Sequence, residues 1–256
     1  MRKNQTILLV TIASAIVIGS LVLFTTRGQA APINYDTMPP LIQPDLPPLP
    51  TVGPAPNSPQ RPAGATVLFS TTFDEAKAQE AWTAVDLEPL AEGDEPSRWS
   101  VRKGHLYQDW AGELRTPVFR KTAAVTGDAA WTNYSISAKV YAVRNDEVGL
   151  IFRVQDDNYY RFRLLSSAYS NPRLVLEKVV AGQVTQLAAS DHPGYTSNTW
   201  YVLQADVVGG DITISLNNDV VINTQDTSLT SGKIGVYGIA TGDLFYDDVS
   251  VTTLQK

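Results

Sequence analysis

From Thr66 onward apolar and polar residues alternate in short runs, most of them ten residues or fewer, and the runs end at glycine, asparagine, aspartate or proline. The stretch from Gly149 to Leu164, GLIFRVQDDNYYRFRL, shows the pattern best: two alternating runs flank Asp156, Asp157 and Asn158, a trio suited to a tight turn. Successive side chains of a strand point to opposite faces. Pairing Val154 with Tyr160 therefore sets Phe152 against Phe162 and Leu150 against Leu164 on an apolar face, and leaves Arg153, Arg161 and Arg163 on the other. The same alternation recurs in TVLFS, GELRTPVF, NYSISAKVYAV, PRLVLEKVV, QVTQLAA, TWYVLQADVV, DITISLN, DVVINT, GKIGVYGI and LFYDDVSVTTL, with a helix-like piece only at Asp74 to Trp82. About a dozen short antiparallel strands, each with one apolar face, predict an all-β chain folded as a two-sheet antiparallel jelly-roll sandwich. No internal repeat points to a propeller or a β-helix.

The first third of the chain lacks this pattern. Arg2 and Lys3 precede an uncharged apolar run from Ile7 to Phe24, predicted as an N-terminal hydrophobic helix, and Arg27 follows it. Eighteen such residues just reach the length that spans a bilayer, whereas Gly28-Gln29-Ala30 resembles a signal-peptidase site. Residues 1–30 are thus a signal peptide or a signal anchor, with the anchor favoured and its basic end held in the cytoplasm. Residues 31–64 carry eleven prolines and few charges, which prevents a core and predicts a disordered linker with extended, polyproline-like stiffness. The folded domain is expected over residues 65–256, at the cell surface or otherwise beyond the cytoplasmic membrane.

Composition narrows the chemistry. Residues 65–256 hold 24 acidic and 16 basic side chains, a balance that argues against nucleic acid as a partner. The absence of cysteine removes disulfides, thiolate metal sites and cysteine nucleophiles. Only His105 and His192 are present, without a nucleophile elbow or a zinc pattern. Phe245, Asp247, Val249 and Val251 share one parity in the last run, so Asp247 is expected to point where the core residues point and to need a cation, an arginine or several backbone donors there.

A set of residues spread along the folded part carries a resemblance. It comprises Phe73-Asp74, Trp99, Gly104-His105-Leu106, Trp131, Asn133-Tyr134, Gly149, Phe152-Arg153 and the run Asp156 to Phe162, followed by Leu174, Lys178, Gly182, Thr185, Leu187, Trp200, Gly232 to Gly235 and Phe245 to Val249. In this order the chain resembles the concanavalin A-like lectin/glucanase superfamily, above all the laminin-G-like jelly rolls of bacterial surface proteins, and it is similar in outline to laminarinase-type glycoside hydrolases. The resemblance implies two curved sheets, one of which commonly meets a glycan. It also implies one structural calcium ion, with Asp247, Asp74 and the Gly104 carbonyl at the matching places.

Arginine forks and aromatic faces suit sugars, so Arg153, Arg161, Arg163, Tyr159, Tyr107 and Trp110 are the candidate ligand-binding residues, for an anionic or hydroxyl-rich glycan. The bland reading of the arginines is a solvated internal ladder with Glu147 and Glu177. Trp99, Trp131 and Trp200 are expected in the core. A laminarinase-type site needs two glutamates on one strand with an aspartate between them. The nearest string, Glu92-Gly93-Asp94-Glu95-Pro96-Ser97, ends in serine and is broken by glycine and proline. Asp86 and Glu88 have no third member, and Asp86 to Glu95 reads as a solvated insertion. The expected function is a non-catalytic carbohydrate-binding or adhesion module that meets a glycan or cell-surface polysaccharide. The alternatives are a sugar-active hydrolase of the same superfamily and a structural or protein-binding module.

Overall fold

The computed structural model describes residues 57–60, 63–109, 120–239 and 244–255. Residues 1–30, most of the linker, Trp110 and the strand expected at 112–119 lie outside them. The chain divides into two units, Met1–Pro47 and Pro48–Lys256, and the second carries the β structure. Among the described residues no helix is long and apolar enough to cross a membrane.

The strands, in chain order, begin with β1 (Val67–Thr71), β2 (Thr83–Asp86), β3 (Arg98–Arg102), β4 (His105–Asp109) and β5 (Lys121–Thr126). Next come β6 (Tyr134–Ala142), β7 (Glu147–Gln155), β8 (Asn158–Leu165), β9 (Leu174–Val180) and β10 (Gln183–Ser190). The last are β11 (Trp200–Val208), β12 (Asp211–Leu216), β13 (Asp219–Gln225), β14 (Lys233–Ile239) and β15 (Leu244–Thr253). The helix-like piece is a short 3-10 helix, Ala76–Ala81. One sheet runs β13-β12-β11-β6-β15-β4-β3, with β1 paired to the far end of β15, and the other runs β10-β9-β8-β7-β14-β5-β2. All of these pairings are antiparallel, so the predicted two-sheet sandwich is the observed one. β2 to β5 are short, and Lys121–Thr126 is rich in alanine, which is why alternation alone did not single these strands out.

Inward-facing residues of the two sheets meet in one core, with Ile136, Ala138 and Val140 from the first sheet packed against Leu150, Phe152, Tyr160 and Phe162 from the second. Tyr246 pins the layers together. Its hydroxyl accepts the Gly149 N–H at 2.9 Å and donates to the Tyr237 carbonyl at 2.6 Å, bridging from β15 to β7 and β14. Gly149 has no room for a side chain, because a Cβ there would stand 1.9 Å from the Phe162 carbonyl oxygen. Gly149→Ala is therefore expected to cost at least ~3 kcal/mol of stability, read as a lower urea midpoint. A midpoint equal to the parent's would show that β7 and β8 can separate freely here.

Two bulges overturn expectations drawn from strict alternation. In the β7–β8 hairpin Phe152 pairs with Tyr160 and Leu150 with Phe162, two residues away from the expected register, and Gln155 pairs with Asn158 across the Asp156-Asp157 turn. The extra residues lie between Phe152 and Gln155, where Arg153 takes φ 52°. That left-handed backbone costs about 1–2 kcal/mol for a residue with a side chain. It also inverts the parity, so Arg153 is fully buried instead of joining Arg161 on the outer face. Its guanidinium donates to the carbonyls of Leu229 at 2.6 Å and Thr132 at 3.2 Å, and its N–H donates to the Tyr134 hydroxyl. The second bulge lies between Asp247 and Ser250, with Asp248 at φ 47°. Asp247 accordingly shares the outer face with Phe245, while Val249 and Val251 turn inward: the inward Asp247 expected from parity is not observed.

Candidate functional site

The outer face of the second sheet holds a polar network built from four strands. Arg161 and Glu177 are cross-strand partners on β8 and β9. Arg161 donates twice to Glu177 Oε2, at 2.9 and 2.6 Å, and Arg163 donates to Glu177 Oε1 at 2.8 Å. The Arg163 fork also grips Glu147 on β7, with Nε 2.7 Å from Oε2 and Nη2 on Oε1. Tyr237 on β14 donates to Glu147 Oε2 at 2.9 Å, and the Arg161 guanidinium lies 5.3 Å from the centre of the Tyr237 ring. The ladder expected as the bland reading therefore exists, but it is buried, not solvated. Burial alone would push the Glu147 carboxyl up. The hydrogen bonds and charge of Arg163 outweigh it and hold the group below its ordinary value. Burial likewise opposes the charge on Arg163, and its bonds to Glu147 reverse that and raise its pKa. Glu147 is thus committed as an anion and both arginines as cations.

Beside this network the same face opens into a groove of about 1120 Å³. Its floor is aliphatic, formed by Val85, Val125, Ile151, Val154 and Val179. Ile151 is the cross-strand partner of Arg161, so the network directly adjoins the floor. One wall is the β7–β8 turn with Asp156, Asp157 and Tyr159, and the other is the Asp86–Pro89 segment. The Asp86 segment departs from the solvated insertion expected of it. Buried Arg120 donates to Asp94 at 2.6 Å and to the Glu95 carbonyl at 2.6 Å, and it stands 3.8 Å from Asp86, whose carboxylate accepts Ser97. Glu88 pairs with Lys121 at 2.6 Å. These partners fasten a wall of the groove to the sheet.

Residues 65–252 match the family of 3-keto-alpha-glucoside-1,2-lyase-like domains. The chain belongs to that family. No curated protein matches it in sequence. Among solved structures, the carbohydrate-binding module CBM66 from Bacillus subtilis is 14% identical with a TM-score of 0.53, over 68% of this chain and 96% of that one. A Bacillus subtilis protein of unknown function with a galectin-like fold is 13% identical with a TM-score of 0.55, over 74% and 97%. SCLam, a non-specific endo-β-1,3(4)-glucanase of family GH16, is 11% identical with a TM-score of 0.52, over 78% and 96%. At such identities the likeness is one of fold, and it supports the concanavalin A-like architecture expected from the sequence.

The lyase-like domain scatters the sequence candidates over both sheets. Arg161, Arg163 and Tyr159 share the grooved face, but Arg153 is interior, and Trp110 lies outside the described residues. Tyr107 belongs to the opposite face of the sandwich. There it packs with Phe245, Tyr141 and Trp200, with the Arg102 guanidinium 5.0 Å from its ring centre. Trp200, expected in the core, belongs to this outer cluster too, whereas Trp99 is a core residue and Trp131 packs against the core from its edge. Asp74 and Asp247 flank the β3–β4 turn. Asp74 Oδ1 is 3.7 Å from where a Gly104 Cβ would stand, and His105 Nδ1, one residue on, is 3.3 Å from Asp247 Oδ2. Asp247 Oδ1 also accepts the Asp248 N–H at 2.7 Å. Of the expected calcium ligands, Asp74 thus stands beside Gly104 and Asp247 beside His105. Among the described residues no group of three histidine, aspartate or glutamate side chains gathers there or elsewhere.

Proposed function

We propose that this domain binds carbohydrate without cleaving it, in the groove on the second sheet, as a laminin-G-like module displayed beyond the membrane by its apolar N-terminal segment and proline-rich stalk. The observation that carries this reading is a large groove beside which the two buried glutamates are already paired with arginines. A glycosidase acid needs a carboxyl held protonated near neutral pH, opposite a second free carboxylate. Glu147 and Glu177, the buried glutamates of this face, are instead locked by Arg161 and Arg163, with Glu147 held below its ordinary value. Family membership favours a second reading, a lyase or hydrolase acting on a glucoside, and the same experiment separates the two. The full chain is screened on a glycan array, and every hit is then incubated and examined for shortened or unsaturated products. Retention of an intact glycan supports the binding module; product release establishes the enzyme.

The proposal includes a structural calcium ion, with Asp74, the Gly104 carbonyl and Asp247 as its ligands. If it is bound there, a chelator lowers the thermal midpoint of the parent, and Asp247→Asn makes the midpoint insensitive to chelator. A parent midpoint that ignores the chelator removes the ion.

A further inference from the structure

The groove has a charge and a texture that narrow its ligand. Resting on the reading of the groove as a glycan site, we infer that it selects uncharged or amine-bearing saccharides with apolar substituents such as acyl groups, and rejects uronates.

The cations of this face are consumed internally. Arg161 and Arg163 direct five hydrogen bonds at Glu147 and Glu177. A uronate carboxylate reaching for either guanidinium would have to displace a glutamate, which would be left buried without its partner. Along the groove itself the ionisable lining is Asp86, Glu88, Asp156 and Asp157 against Lys233. Asp86 and Glu88 are engaged by Ser97, Arg120 and Lys121. Asp156 and Asp157 stand exposed at the hairpin turn, and neither pairs with a cation among the described residues. They lend the open end of the groove a negative potential that attracts an amine and repels a carboxylate. The aliphatic floor makes the second selection. A bare pyranose stacks best on an aromatic ring, whereas five β-branched side chains offer a dry surface to methyl and acyl groups.

The test uses the full chain and two hexasaccharides, a partly N-acetylated glucosamine oligomer and an oligogalacturonate, titrated calorimetrically at low and high salt. The glucosamine oligomer should bind, more weakly as salt rises, and the galacturonate should not. In the Asp156→Lys/Asp157→Lys variant the glucosamine oligomer should lose at least ~10-fold in affinity with the thermal midpoint unchanged. Galacturonate bound by the parent as tightly as the glucosamine oligomer, or the latter bound equally by parent and double variant, overturns the inference and leaves glycan binding intact. If neither hexasaccharide binds and the array yields no hit, the glycan reading falls and the inference with it.

Discussion

Glu177→Ala is expected to cost this domain about 3–5 kcal/mol, because it leaves buried Arg161 without its carboxylate partner and takes from Arg163 one of its two. Folded domains have only about 5–15 kcal/mol to lose, so the variant should unfold at a far lower urea concentration than the parent. Glu177→Gln keeps an acceptor for one arginine and should fall between the two. The paired variant Glu177→Ala/Arg161→Met should recover part of the loss, since it removes one orphaned charge together with its partner. A Glu177→Ala midpoint within error of the parent's would show that water enters and solvates the arginines. The same network predicts a pH dependence. Burial tends to raise the carboxyls of Glu147 and Asp226, but Arg163 in the first case and Lys178 with Tyr160 in the second hold them below their ordinary values of 4.5 and 3.8. A carboxyl depressed on folding stabilises the folded state above its unfolded value and loses that contribution as pH falls. Stability should therefore be flat from neutral pH down to about 5 and decline below about 4.5.

What was legible in the sequence was what depends on alternation and on neighbouring strands. The Arg161–Glu177 pair could be foreseen because β8 and β9 follow one another, and the sandwich because apolar parity persists over many runs. Arg153 and Asp247 were misplaced for one reason. Each lies at a bulge, where an added residue turns parity over, and nothing in FRVQDD or YDDVSV announces a left-handed arginine or aspartate. Tyr107 was grouped with Tyr159 by residue type alone; only the sheet order shows that β4 and β8 lie in different layers. The groove was hidden more deeply. Its floor collects Val85, Val125, Ile151, Val154 and Val179 from four strands, β2, β5, β7 and β9, and single aliphatic residues carry no chemical signature until topology gathers them.

Removing Arg153, Arg161 and Tyr159 together is no test of the glycan face, because two of the three hold the fold. A substitution that fills the groove while sparing the network is the cleaner probe. Val154 lies in the bulge, is half-buried and lines the groove, so Val154→Trp places an indole where the ligand would lie. Affinity for any glycan identified on the array is expected to fall at least ~100-fold, equivalent to about 2.7 kcal/mol. The urea midpoint should stay close to the parent's, within about 0.5 kcal/mol of stability, since the ring enters open space and not the packed core. Gln204→Trp supplies the control. Gln204 lies on β11 beside Ser137, on the outer face of the first sheet, so the same bulk is added on the opposite side of the sandwich. If Val154→Trp binds as the parent does while Gln204→Trp does not, the glycan site belongs to the first sheet. If both bind normally, neither face holds the glycan, and the groove reading falls. Loss in Val154→Trp alone assigns binding to the groove, because the two variants differ only in which face carries the indole.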